Sequence, residues 1–399
     1  IIPNYWWFSE VSQIGGCDSM LIERLSDIER INGLENKFQK ITGIEPFNVS
    51  SWTVSEGFKK KFLQCFRPPA TGNAVDYVYT YSFTEELRNR ALIKLGVRAE
   101  DVDDAMLLVL PNNTIAIVNA VNLLKLCGYR KVCIVNPAYF SVSQTLRSMA
   151  VPFSTVSMER RNRKYSLPFD QIRSRGCDVV WITMPVFSTG VYLETTEINK
   201  IMTLLKDGYF VVADESFALQ GRELVRKIGI HRNFLTICSP HKSISCNGIK
   251  FSGIITSGRY EDVLEQWVDV LCGNLPLSSH IALHHFLSGN YDECCEIFQE
   301  EMETAKRAIQ PLLEGKHHTT DWKSVGSLLT LYFDNVPFAH TKTDAFFIDL
   351  MKNTYSSILP GWLNGFGADT NLCFRVNLAL DGSSLRHALA RIVRYFESL

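Results

Sequence analysis

The chain has 399 residues, 46% hydrophobic and 21% charged, the balance of a soluble protein with large cores. Its 41 Lys and Arg against 42 Asp and Glu leave a formal charge of −1, which gives no electrostatic case for nucleic acid, an anionic membrane or a polyanionic substrate. No run reaches the ~18 apolar residues of a membrane span, and the opening IIPNYWWFSE has neither the basic region nor the long apolar stretch of a secretory signal.

The length allows two or three domains. In chain order, Trp6, Trp7 and Phe8 read as core rather than lid. Residues 19–41 form an amphipathic helical pattern, with Met20, Leu21, Leu25, Ile28 and Ile31 on one side. From about 84 to 282, helical patterns alternate with short apolar runs: AMLLVL (105–110), KVCIVN (131–136), DVVWITM (178–184), YFVVAD (209–214), FLTICS (234–239) and FSGIIT (251–256). Val- and Ile-rich runs that hardly alternate with polar residues suit strands buried on both faces, hence a mostly parallel α/β sheet. Residues 290–313 predict one long helix, in which Cys294 and Cys295 are packing residues. His317 and His318 then read as solvated. A strand SLLTLYF, a helix over 342–353, a strand LCFRVNLA and a last helix opened by DGSS follow. The reading is a large domain over 70–289 and a smaller, discontinuous α+β domain made of 1–69 and 290–399. Eleven cysteines are scattered without a CxxC pair or zinc spacing, which predicts no metal site and free thiols in a reducing cytoplasm.

In open α/β sheets ligands bind beyond the carboxyl ends of the strands, so the residues after each run matter most. After LLVL comes PNNTIAIVNAVNLL, where Asn113 and Thr114 open a helix able to hold an anion on its free N–H groups. KVCIVN leads into PAYF and puts Tyr139 at a strand end. YFVVAD ends on Asp214 and Glu215, carboxylates that need partners on leaving a buried strand. FLTICS leads into PHK, with Lys250 eight residues after Lys242. A lysine in a dry pocket near a second cation loses its proton readily and becomes a nucleophilic amine. A phosphate cradle, an aromatic face, a carboxylate and such a lysine match the parts of pyridoxal phosphate: its phosphate, flat ring, ring nitrogen and aldehyde.

With these residues in place the chain resembles the fold-type-I pyridoxal-phosphate enzymes, of the class I/II aminotransferase branch, from about residue 45 to 395. SPHKSISCNGIKFSG is similar to the family's Ser-x-x-Lys followed by a cation and a Gly, which implies Lys242 as the Schiff-base lysine and Ser239 and Lys250 at the cofactor phosphate. By the same resemblance Asp214 of ADESF pairs with the pyridine nitrogen, Tyr139 of NPAYF stacks on the ring, and Asn113 and Thr114 of PNNTIA belong to the phosphate loop. Arg375 of CFRVNLAL would grip the substrate carboxylate, a bidentate task suited to a guanidinium. FNVSSW resembles the substrate loop and places Ser51 and Trp52 at the pocket. YVYTYSFTEELRNRAL resembles the segment that sends a Tyr to the partner's phosphate: Tyr79, with Tyr77 and Tyr81 as alternatives, which implies a homodimer with shared sites.

The departures are specific. The loop after the fourth run reads MPVFSTG, with Phe187 where the family usually has Asn, and Phe217 stands where it often has Tyr. Both usual residues hydrogen-bond the cofactor's ring hydroxyl; Tyr192 or a water could fill the gap. His241 either tunes the cofactor or is a packed ring. The resemblance implies an aminotransferase acting on an amino acid and a 2-oxo acid. The alternative is a decarboxylase, β-eliminating or cyclising enzyme on the same fold, since DESF is also similar to phosphothreonine-decarboxylase-like relatives. A regulatory cofactor-binding domain without turnover ranks last, because the lysine is present and no DNA-binding segment is visible.

Overall fold

The computed structural model describes residues 23–65, 83–321, 323–367 and 370–399. Its strands, in chain order, are β1 (Phe47–Asn48), β2 (Ala105–Leu110), β3 (Val132–Asn136), β4 (Phe153–Ser157), β5 (Glu159–Arg161), β6 (Lys164–Ser166), β7 (Val179–Thr183), β8 (Phe210–Glu215), β9 (Phe234–Cys238), β10 (Ser252–Ser257), β11 (His318–Thr320), β12 (Leu328–Phe333), β13 (Ser356–Ser357) and β14 (Cys373–Asn377). Seven of them form one sheet in the order β2-β10-β9-β8-β7-β3-β4. β4, β3, β7, β8 and β9 pair in parallel, and β10 runs antiparallel to both its neighbours. All six apolar runs are strands of this sheet, and the run at 251–256 is its antiparallel member.

The strands are apolar throughout because helices cover both faces. Along β8, Val211 and Ala213 enter one core layer and Phe210 and Val212 the other. Val180 and Ile182 of β7 likewise face opposite to Val179 and Trp181. That is the period of two expected of a pleated strand with no wet face. Asn112 caps the helix Asn113–Leu126 by accepting the Ile115 amide, so a buried helix starts at the sheet's carboxyl edge.

A second layer, the antiparallel sheet β11-β12-β14, places Arg375 opposite Thr330. β1 pairs in parallel with β13 and so joins the N-terminal part to the C-terminal part. The loop after β7 packs against this second layer at Gly190 (φ +70°), where a Cβ would stand 2.4 Å from the Val325 carbonyl oxygen, so only glycine fits. The long helix is Gly289–Ile309, with Cys294 and Cys295 buried as expected. Two readings change. β4 and the β5–β6 hairpin were not anticipated. His318 is buried, with Nδ1 2.6 Å from Glu397 and Nε2 3.1 Å from the Leu312 carbonyl oxygen, because the last helix closes over it; His317 is partly exposed beside Asp334. No helix among the described residues is long and apolar enough to cross a membrane.

Candidate active site

The carboxyl ends of β2, β3, β7, β8 and β9 bring the predicted groups together. Lys242 lies on the short helix Pro240–Ser243 just past β9. Its Nζ is 5.2 Å from the Tyr139 ring centre and 4.5 Å from that of Phe217. Among the described residues it makes no ion pair. Burial pulls its pKa from 10.5 down to about 8; Asp214 opposes that shift, and the positive charges of Lys250 and Arg375 reinforce it.

Asp214 is 2% exposed at the end of β8. Its Oδ1 accepts from both the amide (3.2 Å) and the hydroxyl of Ser216. The same hydroxyl bonds Asn113 Oδ1, so Asn113 and Asp214 share one donor. Among the described residues Asn113 Nδ2 is buried without a hydrogen-bond partner, a group that waits for an acceptor. Glu215 faces the other way: burial pushes its carboxyl up to about 8, and it takes the Thr236 hydroxyl at 2.7 Å and the Leu224 amide at 2.5 Å.

Around the mouth, Ser239 donates to the Phe251 carbonyl at 3.1 Å and receives Ser252 Oγ at 3.1 Å. Lys250 Nζ donates to the Asn247 carbonyl at 2.9 Å. Thr114 is exposed in the first turn of its helix, where amides precede the helical ladder. The Ser51 hydroxyl bonds that of Thr53 at 3.0 Å, and Tyr192 accepts the Leu219 amide at 2.7 Å. Phe187 is buried between Tyr139 (5.9 Å between ring centres) and Phe217 (6.4 Å).

Arg375 enters this space from β14. Only 2% of it is exposed. Nε and Nη2 both donate to the Ser50 carbonyl, at 2.9 and 2.7 Å, and the guanidinium carbon lies 3.7 Å from the Trp52 ring centre. Among the described residues it forms no salt bridge, and burial lowers its pKa from 12.5 to about 9. A buried guanidinium is costly without a counter-charge. The site therefore presents an unpaired buried cation for an anion, an unpaired buried amine, and an orphaned amide donor. These fit a phosphorylated aldehyde and a carboxylate substrate.

Reading the sequence did not identify Ser216, Ser50 or His285. His241 is fully buried, and its Nε2 lies 3.0 Å from His285 Nδ1; burial lowers its pKa to about 3, so it is a neutral packed ring behind Lys242. Tyr291 closes the same wall by donating to the Pro240 carbonyl at 3.0 Å. Tyr79, Tyr77 and Tyr81, and Trp6, Trp7 and Phe8, lie outside the described residues. Among the described residues no group of three or more His, Cys, Asp or Glu could hold a metal ion.

No protein-family model matches the chain, and no curated protein sequence does. Solved structures match over nearly their whole length. A kynurenine aminotransferase of Pyrococcus horikoshii, solved with PMP, is 11% identical with a TM-score of 0.73, covering 98% of this chain and 97% of its own. A methionine aminotransferase of Escherichia coli is 13% identical (TM-score 0.72; 99% and 100% covered). An N-succinyldiaminopimelate aminotransferase of Mycobacterium tuberculosis is 17% identical (TM-score 0.70; 95% and 100% covered). The chain thus has the fold-type-I fold of the class I/II aminotransferases.

Proposed function

We propose that the chain is a pyridoxal-phosphate-dependent aminotransferase that exchanges the amino group of an amino acid with the oxygen of a 2-oxo acid. The observation that carries this is the placing of two buried cations that form no ion pair among the described residues, Lys242 and Arg375, across one aromatic-walled site. Ser239, Lys250 and the first turn at Asn113 and Thr114 would hold the phosphate. Tyr139 would support the ring. Asp214 would hold the ring nitrogen's proton through Oδ2, since both Ser216 donors go to Oδ1.

The bound cofactor supplies an aldehyde for the amine and a ring that takes up electrons from the substrate's α-carbon. Arg375 fixes the α-carboxylate and so aims the α-hydrogen toward Lys242. A pKa lowered to about 8 brings the neutral amine, able to accept that proton at Nζ, within reach near neutral pH. The same group then returns it. Burial keeps water from competing.

Pairing of β1 with β13 supports a small domain made of 1–69 and 290–399 beside a large domain over 70–289. The nine cysteines whose side chains are described are free, which supports a cytoplasmic location. A homodimer with Tyr79 reaching the partner's phosphate completes the reading. Phe187 and Phe217 favour one second reading, a decarboxylase, β-eliminating or cyclising enzyme. The test incubates the loaded protein with an amino acid and reads products. Pyridoxamine phosphate and a 2-oxo acid are expected. Carbon dioxide or an elimination product without them supports the second reading, and no product from any amino acid overturns both.

A further inference from the structure

We infer that the site selects an amino acid with an apolar side chain, aromatic in preference to acidic, and that Trp52 and Phe217 set the choice. This rests on the aminotransferase reading of the same site. The two rings stack at 5.7 Å between centres and 15° between planes. Trp52 touches the carboxylate-gripping end, with Arg375 at 3.7 Å from its ring centre. Phe217 touches the reacting end, with Lys242 Nζ at 4.5 Å. An amino acid held by its α-carboxylate at Arg375 and attacked beside Lys242 therefore lies along this pair. Its side chain leaves from the carbon between those two anchors, against the rings.

The rest of that wall continues in kind. Phe187 lies 6.4 Å from Phe217 and 5.9 Å from Tyr139, so four rings form one connected surface. Phe187 and Phe217 have no polar atom to offer a second carboxylate or an amide, and a charge buried against them would lose its hydration without recompense. Lys250, the other cation acting on Lys242, is tied to the Asn247 carbonyl and lies on the phosphate side of the reading. Trp52 is 41% exposed, which leaves part of its indole uncovered. Apolar and aromatic side chains gain by covering such a surface.

The test uses carboxylates that cannot react. Binding of 3-phenylpropionate and of succinate to the pyridoxal-phosphate-loaded protein is measured by calorimetry for wild type, Trp52→Ala and Trp52→Phe. Phenylpropionate should bind at least about tenfold tighter than succinate to wild type. The preference should fall to within about threefold in Trp52→Ala and persist in Trp52→Phe. Loss of Arg375 support alone would weaken both ligands together and leave their ratio unchanged, a result that removes Trp52 from the role. Succinate binding as tightly as phenylpropionate, or tighter, overturns the specificity while sparing the aminotransferase reading. Failure of both ligands to bind overturns the specificity, and the aminotransferase reading with it where Lys242 is also unlabelled by the cofactor.

Discussion

Replacing Lys242 by Met in the cofactor-free protein should stabilise it near neutral pH while abolishing its chemistry. Met keeps the unbranched shape and all but the last atom of the side chain's length, and removes the buried charge. Lys242 has a pKa of about 8 in the folded chain against 10.5 for an ordinary lysine, chiefly because burial disfavours the ammonium form. At about 1.4 kcal/mol for each tenfold change, that fall corresponds to about 3 kcal/mol held against folding when both states are protonated. The sign follows from proton binding. Below pH 8 folded and unfolded chains both carry the proton, and the full penalty applies. Between pH 8 and 10.5 the unfolded chain holds more protons than the folded one, so wild-type stability gains with pH from this group. Above 10.5 both are neutral and the penalty is gone. The gain from Lys242→Met should therefore be about 3 kcal/mol at pH 7 and shrink toward zero by pH 10.5. Urea unfolding of both cofactor-free proteins across that range reads it as a difference, which cancels the other groups that titrate there. A variant no more stable than wild type at pH 7, or a gain that does not change with pH, would mean that Lys242 carries no buried-charge penalty.

Asp214→Ala should slow α-proton removal by about a hundredfold or more, as removal of a preorganised charge partner does, while cofactor still binds; single-turnover rates within about threefold of wild type would remove Asp214 from the role. Phe217→Tyr should lower the pH at which the bound cofactor's visible absorbance titrates by about one unit, because a donor to the ring oxygen is worth about 1.5 kcal/mol in favour of the anion; coincident titration curves mean that the new hydroxyl does not reach it. Sedimentation should find the active protein as a two-fold dimer, and an active monomer would end the idea of a shared site at Tyr79.

The parts of the molecule that sequence alone could reveal are those whose side chains state their environment. β8 and β9 are readable because burial on both faces keeps them apolar, Thr236 apart, until Asp214 and Ser239, where the strands end and the site begins. β4 is hard to read because it lies at the sheet edge and its FSTVS is mostly only partly buried. The grip on Arg375 comes from the backbone carbonyl of Ser50, an atom that every residue carries and no residue type announces. Ser216 was visible as a letter beside Asp214, but its bridge to Asn113 spans 103 residues and exists only once β2 and β8 are in one sheet. The role of His241 is not legible locally because its partner, His285, lies 44 residues away on another helix.

The proposed function stands on Lys242 as the amine that takes the cofactor's aldehyde. Incubation of the purified chain with pyridoxal phosphate, reduction with borohydride and peptide mass mapping tests it directly. A phosphopyridoxyl group is expected on the peptide containing Lys242 and none in Lys242→Met. A label on another lysine, or no label at saturating cofactor, would contradict it.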